Sequence, residues 1–355
     1  MTETIVQKVR LEWVDIAKGI GIILVVFGHS LFNILGSEHV DLVIPTITSI
    51  YLFHMPLFLF INGFLFKKDD KVLESSIYQF TRLVIPFLCY FALATLILIA
   101  TNQLDKITIS DFIKYLWNGR RFVEDMGHLH LTPMWYLLCL FNTRILYNFI
   151  IVKYNKWVVN AIIVICLLLA YTNSMYYPSF TLPFCLHMVA FAIVIFHLGN
   201  LYKRYDTKNA NWLIIIIGML AILCPIFFNI GSINIAITNY GTPIFTLLCS
   251  ILGVLFVINI SKILSKMKYV STILSEPGKA SLVIMALHLV FYPIIAVPLF
   301  GNNPFGATFV GVLVSYIMYR LFDLSKVTQI AFMGKGISKE QIHGFLKHLK
   351  YNNIK

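Results

Sequence analysis

The sequence predicts an all-α, polytopic integral membrane protein with about ten transmembrane helices and both termini in the cytoplasm. Of its residues, 59% are hydrophobic and only 12% are charged, whereas soluble domains carry about 25% charged residues. Apolar runs of the length that crosses a bilayer, about 20 residues, recur from Trp13 to Leu321 with no polar block long enough to fold alone. One membrane domain is therefore predicted at 1–330, followed by a short basic cytoplasmic tail at 331–355.

Ten segments are predicted to span the membrane: 13–35, 42–66, 78–100, 134–152, 157–172, 182–201, 211–229, 240–260, 280–300 and 305–322. The first follows two basic residues, as the core of a signal peptide does. It is nevertheless predicted to stay as a helix, because it contains Asp15 and Lys18 and lacks a small-residue cleavage site. The six cysteines are scattered singly through apolar segments, which favours packing over a disulfide framework or metal ligation.

The distribution of basic residues predicts the orientation. With the N-terminus inside, 23 Lys and Arg residues fall on the cytoplasmic side and four on the outside, the bias expected of short loops in membrane proteins. This bias and attraction to anionic lipid explain the net charge of +12. Nucleic acid binding is therefore not required to explain the charge.

One long outer segment, 101–133, contains Ser110 and Asp111 as a plausible helix cap before apolar residues at helical spacing. We expect a short interfacial helix there. It would be either a lid over an outward-facing site or an amphipathic connector resting on the lipid headgroups.

The first predicted helix carries ionisable residues at membrane depth, where each costs about 2.5–3.5 kcal/mol on insertion scales. Eleven residues separate Lys18 from His29, which places the two on one helix face about 16 Å apart. Lys18 then offers a cation near the cytosol, with Asp15 three residues before it, and His29 offers a deeper imidazole. This pattern suits a long anionic cofactor. The alternative is that Asp15 and Lys18 reach the interface and His29 only satisfies a neighbouring carbonyl.

Two further predicted spans carry a histidine near mid-depth. His54 lies in the second span, close to Pro56, which is placed to kink the helix, and to Gly63, which permits close backbone approach. His288 lies in the ninth span, seven residues after Ser281 and on nearly the same face. Three histidines on separate helices could hold zinc, but no carboxylate or cysteine completes a recognisable spacing, and no metal is expected.

Two other short patterns resemble binding motifs but have simpler structural explanations. His128 and His130 in the outer segment form a weak metal motif, and they either contact an acceptor or only face water. Gly19-x-Gly21 lacks the preceding strand and third glycine of a dinucleotide fingerprint. Close helix packing is predicted for these two glycines instead.

Five segments, in order along the chain, resemble the acyltransferase family 3 membrane O-acyltransferases. Trp13–His29 resembles the opening helix of the family, and the other segments resemble its second helix, its Arg-x-x-x-Pro entry to the third helix, its Trp-Phe-Leu stretch and its penultimate helix. These are Phe53–Phe66, Thr81–Pro86, Met134–Leu137, and Gly278–Ser281 with His288. The sequence departs from the family in having Lys18 where Arg is usual and Asn62 where Ser is common. Lysine keeps the charge but loses the two-pronged contact of a guanidinium.

The resemblance implies transfer of an acyl group, usually acetyl, from cytoplasmic acyl-CoA to a hydroxyl of an extracytoplasmic or lipid-linked glycan, at a bacterial plasma membrane. The catalytic candidates are His29, as base or acyl carrier, with Asp15 and His54. The candidates for binding the phosphates of acetyl-CoA are Lys18, Arg82 and Lys279. Those for binding the acceptor are His288, Trp135 and Arg144, and His54 and His288 could instead orient His29.

A transporter or flippase for a glycan precursor is the alternative function, because polar residues at mid-depth on several helices also mark substrate pathways. Such a protein should show broken helices in corresponding positions of two halves, and the sequence does not reveal them. The oligomeric state is not predicted by these patterns.

Overall fold

The computed structural model describes residues 11–32, 40–100, 132–207, 209–228, 230–301 and 303–352. The helices are α1 (Glu12–Phe32), α2 (Val40–Phe64), α3 (Val72–Gln79), α4 (Ile85–Ala100), α5 (Trp135–Lys153), α6 (Lys156–Tyr176), α7 (Leu186–Tyr202), α8 (Trp212–Phe228), α9 (Phe245–Leu264), α10 (Lys268–Lys279), α11 (Ser281–Phe291), α12 (Val297–Phe300), α13 (Pro304–Phe322), α14 (Lys326–Met333) and α15 (Lys339–Asn352). Two π-helical turns, Phe80–Val84 and Tyr292–Ala296, join α3 to α4 and α11 to α12. The predicted all-α class is confirmed.

Within the described ranges, eight spans are long and apolar enough to cross a membrane: α1, α2, α3 with α4, α5, α6, α7, α9 and α13. The helices α10 and α11 pass the same test together, but they are bent by 73°. The apolar helix α8 has 17 residues, at the lower end of the lengths that cross a bilayer. Helices therefore occur at all ten predicted positions, while the number of crossings and the side of each terminus stay predictions.

The ninth predicted segment, 280–300, differs most from the structure. The helical chain begins earlier, at Lys268, and bends at Ala280 between α10 and α11. Hydropathy missed α10 because this helix is amphipathic and carries the charged residues Glu276 and Lys279. Pro277 in its last turn cannot donate a backbone hydrogen bond, which weakens the helix just before the bend.

The helices α1 and α10 cross at two glycines. A Cβ atom at Gly19 would overlap the carbonyl oxygen of Leu274, and one at Gly278 would overlap that of Asp15. The close packing predicted for Gly19-x-Gly21 is therefore confirmed, since only a missing side chain allows this backbone approach. The contact brings the Gly278-Lys279-Ala280-Ser281 segment against the first helix.

The packing role predicted for Gly63 is also confirmed. A Cβ atom at Gly63 of α2 would overlap the carbonyl oxygen of Phe196, and one at Gly199 of α7 would overlap that of Phe60. Pro56 lies inside α2. The two glycine contacts hold α2, which carries His54, against the largely buried helix α7.

A buried ion pair ties α9 to the chain after α7. Lys262 is 2% exposed and donates to Asp206 at 2.6 Å and to the carbonyl of Thr207 at 2.7 Å. Its ammonium also lies over the rings of Trp13 and Tyr202. A lysine in this environment is stabilised by its partners, because removing one of them would leave an uncompensated buried charge.

The segment predicted as a tail includes α15, which docks on the α2–α3 connection. Lys339 forms an ion pair with Asp69 at 2.6 Å, and His343 hydrogen-bonds Glu74 at 2.8 Å. Burial raises the pKa of Asp69, but hydrogen bonds from Lys339 and from the backbone N–H of Lys71 outweigh it and hold that pKa below its ordinary value. The end of the chain therefore contacts the membrane domain through several polar bonds.

Candidate active site

Four aromatic rings from three helices form a compact group, here called the histidine cluster: His29, Tyr51, His54 and His288. The ring centroids of His29 and His288 are 5.2 Å apart. Tyr51 stacks near His29 at 6.3 Å and meets His54 edge-on at 4.6 Å. The structure thus brings the predicted histidines of α1, α2 and α11 together.

Backbone carbonyls fix the rings of two of these histidines. Nδ1 of His54 donates to the carbonyl of Ile50 at 2.9 Å, and Nδ1 of His288 donates to the carbonyl of Ile284 at 2.8 Å. Both partners are four residues earlier on the same helix and can only accept, so each Nδ1 carries the proton. In the neutral ring, Nε2 is then the acceptor. The Nε2 atom of His288 is buried without a hydrogen-bond partner among the described residues.

A glycine allows α13 to close over His288. A Cβ atom at Gly311 would lie 3.0 Å from a methyl carbon of Val26 and 3.4 Å from Cβ of His288. The backbone of α13 therefore packs directly against both α1 and α11 at the level of the histidine cluster. This packing leaves His288 only 2% exposed, whereas His29 is half-buried.

Sequence reasoning missed Tyr51. It lies three residues before His54 on α2, so that both side chains emerge from one helix face, and this spacing is the signal that could have found it. In an aromatic-rich span, however, one more tyrosine does not stand out. Its ring contacts both the His29 ring and the His54 ring. Tyr51 thus links the His54 ring to the His29 ring, whereas the His288 ring contacts the His29 ring directly.

The helix α1 is continuous from Glu12 to Phe32, so the predicted alignment of Lys18 and His29 on one face is preserved. Lys18 is half-buried and Asp15 is 7% exposed. The Asp15 backbone lies at the contact with Gly278. The start of α1 thus lies against α10, away from the histidine cluster.

Lys279, a candidate for cofactor phosphate, is engaged in the structure. Its ammonium pairs with Glu276 at 2.6 Å, and the other carboxylate oxygen of Glu276 accepts the Tyr316 hydroxyl at 2.6 Å. The i,i+3 spacing of Glu276 and Lys279 is a sequence signal for such a pair. A ligand anion at Lys279 would have to compete with this carboxylate.

Arg82, the second phosphate candidate, is exposed at the π-helical turn before α4. Its Nη1 donates to the Tyr78 hydroxyl at 3.0 Å and its Nε donates to the carbonyl of Gly334 at 3.2 Å. Pro86 has no N–H for the carbonyl four residues earlier, which is that of Arg82, and this explains the irregular turn. Gly334, at φ +60°, packs so tightly there that a Cβ atom would overlap that carbonyl.

Arg144 on α5 belongs to a hydrogen-bonded chain. Its Nη1 donates to the side-chain oxygen of Asn62 at 3.0 Å, and the Asn62 amide donates to the Tyr136 hydroxyl at 3.2 Å. Trp135, the predicted sugar-stacking residue, is 4% exposed and meets the Tyr136 ring edge-on at 6.0 Å. The Tyr136 ring lies 6.3 Å from that of Phe58. Neither Trp135 nor Arg144 contacts the histidine cluster in these hydrogen bonds and ring contacts.

An apolar groove of about 350 Å³ lies between α1, α10 and α13, with Ile23, Pro277 and Val312 among its lining residues. No residue of the histidine cluster lines this groove, and neither does Gly311. Thr308 at its edge hydrogen-bonds Ser30, the residue after His29, at 3.5 Å.

No group of three or more His, Cys, Asp or Glu side chains converges on a metal position in the described part of the chain. His128, His130 and the predicted interfacial helix at 101–133 lie outside the described residues, apart from 132–133.

A bundle of membrane-length helices that brings three histidines together, with basic side chains on several of the same helices, defines the class of helical membrane proteins. The sequence profile of an acyltransferase domain matches residues 11–320. The chain therefore belongs to acyltransferase family 3, as the five segments predicted, and it is a membrane acyltransferase. No curated protein and no solved structure gives a significant match to it.

Proposed function

We propose that the protein transfers an acyl group, usually acetyl, from acyl-CoA on the cytoplasmic side to a hydroxyl of an extracytoplasmic or lipid-linked glycan. The observation that carries this proposal is the histidine cluster, with His29 on the same continuous helix as Lys18. Lys18 lies about 16 Å nearer the cytosol on that helix face. An elongated anionic thioester with its charged end at one site and its reactive end at the other suits this separation.

In this reaction His29 takes the proton of the acceptor hydroxyl as the oxygen attacks the thioester carbonyl. The new C–O bond forms, the C–S bond breaks, and the leaving thiolate takes up a proton to give free coenzyme A. A second route is attack by His29 itself, so that its ring carries the acyl group until the acceptor takes it. Both routes require one neutral nitrogen on His29.

His288 could keep one ring nitrogen of His29 unprotonated and hold the His29 ring in a fixed orientation. Its Nε2 is an unpartnered acceptor, and 5.2 Å between ring centroids is about the separation at which two imidazoles share an N–H···N hydrogen bond. A rotation of the His29 ring would let Nε2 of His288 accept the N–H of His29, while Nδ1 of His288 keeps its bond to the Ile284 carbonyl. The other nitrogen of His29 would then hold the lone pair. Tyr51 stacks near the His29 ring and contacts His54 in turn.

For the donor, Arg82 is a stronger phosphate ligand than Lys279, because the described partners of Arg82 are neutral and Lys279 is held by Glu276. Lys18 is kept as a phosphate ligand because it shares a helix face with His29. Asp15 would position the start of α1 rather than contact the reacting atoms, since its backbone lies at the packing contact with Gly278. Trp135 is 4% exposed and is therefore a weaker candidate for stacking on the acceptor sugar.

The proposal is tested with purified protein in detergent or proteoliposomes, by binding and hydrolysis of radiolabelled acetyl-CoA and by transfer to glycan fractions of the envelope. Acetyl-CoA binding with slow hydrolysis is expected without acceptor, because water can replace the hydroxyl. Glycan translocation without consumption of acetyl-CoA would instead support the transporter alternative.

The side from which the donor enters is tested by cysteine labelling. Tyr177 follows α6 and is 63% exposed, whereas Tyr205 follows α7 and is 76% exposed. The charge bias predicts that Tyr177→Cys is labelled from outside intact cells and that Tyr205→Cys is labelled only after permeabilisation. The reverse pattern would contradict the cytoplasmic position of Lys18 and of the donor.

A further inference from the structure

Arg144 is a cation at membrane depth whose described partners are all neutral. The side chain is half-buried, its Nη1 is held by the Asn62 amide, and its guanidinium carbon lies 5.9 Å from the centre of the Phe66 ring. Its Nε atom is buried with no hydrogen-bond partner among the described residues. No carboxylate of the described chain pairs with it. A guanidinium in this setting has unused donors and uncompensated charge.

Arg82 brings a second positive charge to the same place. The helix α5, which carries Arg144, packs against the π-helical turn that carries Arg82. The described partners of Arg82 are also neutral, namely the Tyr78 hydroxyl and the Gly334 carbonyl. Two cations on packed elements, neither with a carboxylate partner among the described residues, favour an anion that joins them.

Lys262 shows how this protein neutralises a buried cation when no ligand is needed. That lysine has a carboxylate at 2.6 Å, a backbone carbonyl and two aromatic rings. Arg82 and Arg144 instead have a hydroxyl, a carbonyl and an amide, which orient the guanidinium groups and leave their charges available. Arginine also presents parallel donors that match phosphate oxygens.

From this arrangement we infer that Arg82 and Arg144, the arginine pair, bind the diphosphate of the acyl donor. The inference rests on the proposed function and moves Arg144 from the acceptor site to the donor site. Arg82 is exposed and Arg144 is deeper, so the pair suits an elongated dianion that enters from the side of Arg82. Beyond Arg144, the chain of Asn62, Tyr136 and Phe58 leads to α1, where Phe58 packs on Gly21.

Gly21 lies eight residues, or about 12 Å, before His29 on α1. The pantetheine arm of a donor held at the arginine pair would therefore run along α1 toward the histidine cluster. The diphosphate is the phosphate group nearer to the thioester, which is why it, rather than the ribose phosphate, is assigned to the deeper cation.

The test uses binding calorimetry on purified full-length protein with three ligands. These are acetyl-CoA, acetyl-dephospho-CoA, which lacks only the ribose phosphate, and S-acetylpantetheine, which lacks the diphosphate and the nucleotide. Arg144→Met should weaken binding of the first two by the same factor, about ten- to a hundredfold, as for loss of a charge-assisted hydrogen bond. Binding of S-acetylpantetheine should not change.

Two further variants guard against misfolding. Asn62→Asp keeps the side-chain shape and places a carboxylate on Arg144, so it should reproduce the loss while the protein stays folded. Arg144→Lys keeps the charge but loses the two parallel donors of the guanidinium. Its acetyl-CoA affinity should lie between those of the wild type and Arg144→Met. Lys266→Met is the matched control, since Lys266 is an exposed cation outside the arginine pair, and its acetyl-CoA affinity should equal that of the wild type.

The outcomes separate this inference from the proposed function. If wild-type protein binds acetyl-CoA but Arg144→Met and Asn62→Asp bind it equally well, the inference is wrong and the proposed function stands. A loss for acetyl-CoA without a loss for acetyl-dephospho-CoA would also overturn it, because the ligand would be the ribose phosphate. Failure of the wild type to bind any of the three thioesters would contradict the proposed donor itself.

Discussion

The arginine pair and the Lys262 site are both basic regions within the helix bundle, and they differ in what surrounds the charge. Lys262 is enclosed by a carboxylate, a carbonyl and two rings, so every favourable interaction that its charge can make is already made. The described neighbours of Arg82 and Arg144 are neutral. The difference teaches that burial of a cation is not by itself a sign of function, since Lys262 is buried with its counter-charge. The half-buried Arg144 has no carboxylate partner among the described residues, and this is why an anionic ligand is proposed for it.

The histidine cluster follows the same logic with uncharged groups. His54 and His288 are fixed by carbonyls of their own helices, which set the tautomer without adding a negative charge. A site of this kind can hold a neutral base at depth. Four predictions follow from comparing the Lys262 site, whose charge is paired, with the arginine pair and the histidine cluster, which contain no carboxylate.

The largest effect is expected at His29. His29→Ala should lower acyl transfer by about 10²–10⁴-fold, the usual contribution of a general base, and by more if the ring carries the acyl group. Acetyl-CoA affinity and the melting temperature should stay close to those of the wild type, because His29 is half-buried and acts mainly in the transition state. Turnover assays with calorimetry on the same preparation measure this. Near-normal turnover would remove His29 from the mechanism.

The opposite result is expected at Asp206. Asp206→Asn removes the counter-charge of Lys262 and should lower stability by about 3–5 kcal/mol, as for other broken buried ion pairs. Thermal unfolding in detergent measures the loss. Acetyl-CoA affinity of the protein that remains folded should not change. Weakened donor binding at normal stability would mean that Lys262 is not a structural residue and would break the comparison.

Lys18 is expected to have an effect of intermediate size. Lys18→Ala should weaken acetyl-CoA binding by about 1–3 kcal/mol if a charge-assisted hydrogen bond to phosphate is lost. Lys18→Arg should preserve or improve the affinity, because a guanidinium offers two parallel donors. Calorimetry on both variants separates this role from simple location at the interface, for which Lys18→Ala would bind acetyl-CoA normally.

The smallest effects are expected at the two other histidines, and the prediction is that turnover falls more for the His288 variant than for the His54 variant. His288→Asn should lower turnover by about tenfold or more, since His288 is the direct neighbour of His29. His54→Asn should cost only a few-fold, because Tyr51 links the His54 ring to the His29 ring. The pH dependence of turnover should shift in the first variant and not in the second. Equal losses, or a larger loss at His54, would refute the proposed contact.

Much of the candidate site could be predicted from helical spacing. Lys18 and His29 share a face because α1 is unbroken, and His54 and His288 were expected at mid-depth on other spans. Tyr51 and the pairing of His29 with His288 were not predictable in this way, since hydropathy does not show which helix faces which. The role of Arg144 also depended on its neighbours, because a sequence does not show whether a carboxylate lies beside it.

The sequence by itself determined the all-α membrane class, the ten helical positions and the five segments of the family, because hydropathy, helical period and short motifs are local properties. Only the tertiary structure decided which helices meet. Gly19 packs on the carbonyl of Leu274 and Gly278 on that of Asp15, and these two close contacts set the crossing of α1 and α10. The bend at Ala280 turns α11 so that the His288 ring contacts the His29 ring. These contacts join residues that are far apart in the chain. They depend on backbone packing between helices, which cannot be read from any single segment.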